Sequence, residues 1–296
     1  MASNTLGGIN PTRISQLSLD VLKTVGVPLR AFTTDLTDDV AVSGDVVTTR
    51  FATVPSTQDF DSSKATGNST TTARSVTLNK YKGVSIGFKD TEVAFSDVDL
   101  LDLYIKPAIS SIVDGMISDV LANVTSGNGF NANESVITAS ALDSDKVADL
   151  AQGLSTRKVP MSPRSLILKP SYYVTLLKDA TFVAASDGPS GTGPIRDYNL
   201  PRALGFDVYE YNGTVPANDI NMAGLACGKQ ALVIANRAIP TPSDWYGNVQ
   251  NITDPDSGLT LQMRSFYDGV EQVYQFAALY GSAVGIDEYA TAIVSS

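Results

Sequence analysis

This chain of 296 residues contains no histidine. That absence removes the side chain most used as a general base near neutral pH, the Ser-His-Asp and Cys-His arrangements, and most zinc sites. There is one cysteine, Cys227, so no internal disulfide can form. Between the small apolar neighbours of "GLACGK" the thiol reads as a packed side chain rather than a nucleophile. No run approaches the roughly 20 apolar residues of a membrane-crossing helix, and "MASNTLGGIN" has neither the basic start nor the apolar core of a secretory signal. The chain is therefore expected to stay in the cytoplasm where it is made, away from membranes. Positive charge is also scarce: 21 Lys and Arg stand against 31 Asp and Glu, a formal charge of −10 with no basic cluster. Gripping phosphates needs clustered cations, which argues against direct wrapping of nucleic acid.

The remaining chemical motifs fail on inspection. "AGLACGKQ" has Ala223 where a phosphate-binding loop needs its first glycine, and Gln230 where it needs Ser or Thr. "DSD" at 143–145 and "DPDSG" at 254–258 lack calcium-loop spacing and read as turn chemistry. No catalytic residue, metal site or cofactor is expected, and the chain reads as a non-enzyme.

What the sequence does contain is pattern. In "DLLDLYIKPAISSIVDGMISDVLANV" (99–124), Ile105, Ile109, Ile112, Val113, Met116, Ile117, Val120, Leu121 and Val124 recur at spacings of three and four, the mark of an amphipathic helix with a wide buried stripe. Asp102, Lys106, Ser110, Asp114 and Ser118 form its wet face. Pro107 lacks the amide a helix interior needs, which predicts a short lead-in helix and a longer one after it. "RISQLSLDVLKTV" (13–25) predicts another helix, either an arm element or the first helix of a domain.

"GDVVTTRFATV" (44–54) and "SVTLNKYKGVSIGF" (75–88) read as an outgoing and a returning strand. The long polar stretch between them contains almost no core formers, and reads as either disordered or made for work outside the domain. A two-stranded hairpin is barely stable alone in water, so it should lie on something else. Further on, "SALDSDKVADLAQGLSTRKV" predicts a helix, "SLILKP" a buried strand, and "SYYVTLLKDA" a helix capped by Ser171. "LGFDVYEYNGTVP" and "ALVIANRAI" read as strands, the second fully buried. The tail reads as strands about Asp268-Gly269 and a last strand near "ATAIV", with a helix through "VEQVYQFAALYG" as the competing reading.

The order of these parts resembles the major capsid protein of tailed bacteriophages, the Hong Kong 97 type of fold also found in encapsulins. "GDVVTTRF" and "SVTLNKYKGVSIGFKDTE" resemble the strands of that family's extended loop, "IKPAISSIVDGMISDVLANV" its spine helix, and "IRDYNLPRALGFDVYEYNGTVP" with "ALVIANRAI" late elements of its axial domain. The resemblance implies an α+β architecture with an N-terminal arm (1–43), an extended loop (44–88), a peripheral domain of spine helix and late strands (89–125 and 259–296) and an inserted axial domain (126–258). It implies self-assembly through pentamers and hexamers into an icosahedral shell enclosing DNA without sequence-specific binding. Scaffolding and portal proteins, and a decoration protein, would be the partners, and the virion the destination after assembly in the host cytoplasm.

Some family members cross-link a loop lysine to a neighbour's asparagine with help from a glutamate. Here the spine helix offers Asp114 and Asp119 but no Glu, and no cross-link is expected. Contacts between subunits are expected instead from Arg50, Lys64, Arg74, Lys80 and Lys82 on the loop to acidic surface such as Asp102, Asp114 and Asp119 on a neighbour. The plain alternative for each is a solvated surface charge of little energetic weight. The rival readings are an encapsulin-type compartment, a phage tail structural protein, and a small-molecule-binding or hydrolytic enzyme.

Overall fold

The computed structural model describes residues 11–35, 46–52, 71–89, 100–185, 200, 202–213, 219–241 and 247–295. Two helices begin the core. Helix α1 (Pro11–Val25) packs its Val21 and Leu22 against helix α2 (Leu100–Leu121). All nine residues of the apolar stripe read in the sequence are buried in this cluster.

The break expected at Pro107 does not occur, and α2 is a single helix with Pro107 inside it. Proline in a helix interior costs about 3 kcal/mol. Burying each large apolar side chain of the stripe stabilises by roughly 1.5–3 kcal/mol, so the stripe wins several times over. Pro107 also sits on the exposed face with Leu103, Tyr104 and Lys106, where its ring displaces no core side chain.

Two six-stranded sheets organise the rest. The first contains β1 (Thr33–Asp35), β4 (Lys80–Lys89), β10 (Leu232–Arg237), β11 (Asn248–Thr253), β12 (Thr260–Tyr267) and β13 (Glu271–Val284). Strand β13 is its beam. Strands β4 and β12 pair with the same residues of β13 and so lie on opposite edges of it, while β10 takes over beside β12 from Leu279 to Val284. Tyr274, Phe276, Ala278 and Tyr280 are buried at every second position, the strand period rather than the helical one. The strand reading of the tail therefore holds, with Gly269 at φ 68° in the turn that a side chain would strain.

The second sheet runs β5 (Glu134–Val136), β14 (Ala290–Val294), β9 (Met222–Gly228), β6 (Arg164–Leu168), β8 (Phe206–Glu210) and β7 (Arg202–Ala203). Helices α3 (Ser144–Thr156), α4 (Pro170–Leu177) and α5 (Ala180–Ala185) follow the chain order around it, and Val147, Leu150, Leu154, Tyr172, Leu176 and Phe206 join its core. Asp143 caps α3, its carboxylate accepting from the Lys146 amide at 2.9 Å. Helix α4 begins differently from the expectation: Lys169 is the cap and Pro170 the first helical residue, with Ser171 already inside. A proline there has its φ preset and no amide to satisfy, which makes a capping side chain dispensable.

Hydrogen bonding joins strands across the expected segments. Strands β10 and β11, within the segment 126–258, hydrogen-bond in the first sheet, and β14, at the end of 259–296, hydrogen-bonds in the second. Strands β2 (Val46–Ala52) and β3 (Thr71–Thr77) form a separate two-stranded sheet, and β3 leads almost directly into β4.

Candidate assembly surface

The two-stranded hairpin has one anchored face and one open face. Register pairs Val47 with Val76 and Phe51 with Thr72, so Val47, Phe51 and Val76 point the same way; these three are buried with Leu78, Val233 and Ala235 of the body. The other face carries Val46, Thr48, Arg50, Ala73, Ser75 and Thr77, all exposed. Thr49 pairs with Arg74 and Arg50 with Ala73, which puts the two arginines on opposite faces. Both guanidinium-bearing residues are exposed. Lys64 lies outside the described residues, as does the side chain of Asp102.

The base of the hairpin is tied to the long helix by charge. Lys80 stands opposite Tyr280 and Lys82 opposite Ala278, so both lysines share the face of β4 that also carries Val84, Ile86 and Phe88. That face looks at α2. Asp119 of α2 receives Lys80 Nζ at 2.9 Å, Lys82 Nζ at 2.6 Å and the Tyr280 hydroxyl at 2.5 Å. Gly115, one turn earlier, leaves room for the Lys82 stem: a Cβ built there would touch the Lys82 Cδ at 3.6 Å. Next to this group, Asn123 donates to the Asp119 carbonyl at 3.1 Å and to Ser282 Oγ at 2.9 Å.

Burial alone would push the Asp119 carboxyl up, but hydrogen bonds from Lys82, Tyr280 and Lys80 outweigh it and hold the group below the usual carboxylate range. Burial, with Asp119 accepting its proton, drives the Tyr280 phenol far above its ordinary range. Three residues expected to reach a neighbouring subunit, Lys80, Lys82 and Asp119, thus meet within one chain. The sequence carried a signal for this arrangement. Two lysines at the same parity as three core-facing residues need an anion opposite them.

Asp114 is different. It is half-buried and, among the described residues, forms no ion pair; burial raises its pKa. Beside it the Tyr211 hydroxyl donates to the Asp114 carbonyl at 3.4 Å. The thiol of Cys227 is fully buried and pushed up to about 12, a packing role as expected. Asp254 closes a turn, accepting from the Ser257 hydroxyl at 2.6 Å and the Ser257 amide at 3.1 Å, which gives the "DPDSG" carboxylate a structural task.

No family model matches the chain, and no curated protein does. Solved structures match its fold. The capsid structure of the cyanophage P-SCSP1u superposes with a TM-score of 0.60 at 13% identity, covering 90% of this chain and 86% of that one. A structure from Mycobacterium phage Che8 gives 0.58 at 14% identity, covering 90% of each chain. The virus-like particle from Pyrococcus furiosus gives 0.54 at 12% identity, covering 96% and 98%. The chain has the α+β Hong Kong 97-type capsid fold that the order of its parts implied.

Proposed function

We propose that this chain is the major capsid protein of a tailed bacteriophage, self-assembling through pentamers and hexamers into the icosahedral shell of a virion. The observation that carries the reading is the hairpin of β2 and β3, a two-stranded sheet with one face against its own body and the other exposed. A strand pair of this kind has little stability on its own, and a shell of identical copies gives each open face a neighbour to lie on. Arg50 on that face is the loop cation best placed for such a contact. In this reading the arm is 1–43, the extended loop 44–88, the peripheral domain 89–125 with 259–296, and the axial domain 126–258.

The acidic balance fits a container whose wall does not grip phosphate, so DNA would be enclosed without sequence-specific contacts. Scaffolding, portal and decoration proteins are the partners such assembly uses in the host cytoplasm, and no enzymatic step is needed. Electron microscopy and sedimentation of the purified chain test the reading: closed particles support it, and tubes, fibres or a persistent monomer overturn it. An encapsulin-type compartment is the second reading, less supported than the first, because a virus-like particle from Pyrococcus furiosus shares the fold across nearly the whole chain at a TM-score of 0.54. Particles filled with a protein cargo rather than DNA would select it.

A further inference from the structure

Between α3 and β6 the chain turns through Lys158, whose φ is 60°, to Met161, which is 79% exposed, more than any other large apolar side chain described. The backbone beneath Met161 is held by a buried arginine. Arg164, 4% exposed, donates to the carbonyls of Pro160 at 2.8 Å, Val159 at 2.7 Å and Ala151 at 3.0 Å, and to Ser155 Oγ at 3.0 Å. Arg157 fixes the other side, donating to the Ala290 carbonyl at 2.8 Å and to Thr291 Oγ1. Desolvating a guanidinium is costly, and here it holds a flexible apolar side chain out in water on a rigid base. Such a knob loses little backbone entropy on contact, which is what preorganisation contributes to binding.

A matching hollow lies at the opposite end of the same strands. Strands β6 and β8 run parallel from Arg164 beside Phe206 to Leu168 beside Glu210. At the Glu210 end, α1, α2 and β8 border a groove of about 410 Å³ lined by the partly exposed Val25, Val27, Tyr209, Asp114 and Glu210, over the buried Ile117 and Tyr211. The strand ends are separated by four residues, ~13 Å, so a chain cannot seat its own knob in its own groove.

The geometry points to a contact between copies: Met161 of one chain seats among the aliphatic and tyrosine walls of a second chain's groove, and Lys158 of the first reaches Asp114 of the second. An apolar side chain with a cation three residues away meets apolar walls with an anion that has no ion-pair partner among the described residues. Because knob and groove occupy different surfaces, the contact is head-to-tail and repeats from copy to copy, and the shell reading requires its rotation to close into rings. This rests on the self-assembly reading above, and goes beyond it in naming the surfaces.

Paired cysteines decide the matter. Met161→Cys combined with Thr24→Cys on the groove rim should give a ladder of covalent oligomers under mild oxidation, whereas each single variant should not; Cys227 is buried and does not contribute. Met161→Asp, at a site too exposed to disturb the core, should lower the assembled fraction roughly tenfold with unchanged melting of the subunit. Wild-type particles together with an absent ladder, or a Met161→Asp chain that assembles normally, overturn the contact. A wild type that forms no particles overturns the shell reading alone. The ladder, read then at high protein concentration, still supports the contact by appearing and refutes it by failing to appear.

Discussion

The carboxylate of Asp119 lies 2.6 Å from Nζ of Lys82, so the strand leaving the hairpin is fastened to the long helix by an ion pair. The Asp119 side chain is only 16% exposed, and the pair shares its carboxylate with Lys80 and the buried Tyr280 hydroxyl. Asp119→Ala leaves that hydroxyl without an acceptor and two lysines against the helix. A loss of about 2–4 kcal/mol in urea unfolding is expected. Tyr280→Phe alone should cost about 1 kcal/mol, and the double variant should lose less than the sum, because both remove the same bond. Strict additivity would show that the short contact contributes nothing.

The pH dependence follows from the direction of the Asp119 shift. Its folded-state pKa lies below the ordinary 3.8, so ionisation favours the folded chain. That contribution is complete above 3.8 and disappears as the pH falls through the lower folded value. Asp179 and Asp254 are shifted the same way, so the wild type weakens in acid in any case. Comparison with Asp119→Asn isolates the one group: the gap in urea midpoint between the two proteins should be constant from pH 7 to 5 and narrow below pH 4. A gap that widens in acid would reverse the assignment.

Gly281 in β13 lies directly under the turn that joins β3 to β4. A Cβ there would stand 2.1 Å from the Thr77 carbonyl oxygen and 3.2 Å from the Leu78 nitrogen, both backbone atoms that cannot rotate away. Gly281→Ala should therefore destabilise by about 3 kcal/mol and impair assembly, since it lifts the root of the hairpin. Gly153→Ala in α3 is the opposite case. Nothing lies within 4 Å of its Cβ, and a gain of about 0.5–1 kcal/mol is expected from helix propensity.

Cys227 should be silent to thiol reagents in the native protein and react fully in denaturant. Its sulfur is enclosed, and burial keeps the unreactive thiol form far above neutral pH. Rapid native labelling would mean that β9 opens locally.

The sequence made the parts legible and left their partners unstated. Spacing alone located the stripe of α2, the alternation of Val84, Ile86 and Phe88, and the continuous apolar runs of β6 and β10. Such a run tells that both faces of a strand are covered, not which strand lies beside it. Strands β9 and β10 are separated by only three residues, yet they belong to different sheets. Pro107 misled for a related reason: a local rule met a burial term it could not see. Asp119 was visible as an acid on a helix, but its partners come from about 40 residues before it and about 160 after it, a meeting only the fold specifies.

The segments that cross from sheet to sheet run side by side. The chain leaves β9 for β10 through Lys229–Ala231 and leaves β13 for β14 through Gly285–Tyr289, and the two passages bond to each other, Gly285 N–H to the Ala231 carbonyl at 2.9 Å and Ile286 N–H to the Gln230 carbonyl at 3.0 Å. Two adjoining straps stitch the sheets together, and residues of both, Ile167, Leu225 and Ala292 from one and Ile234, Phe276 and Tyr280 from the other, share one buried core. Separating the sheets would break both straps and open that core at once.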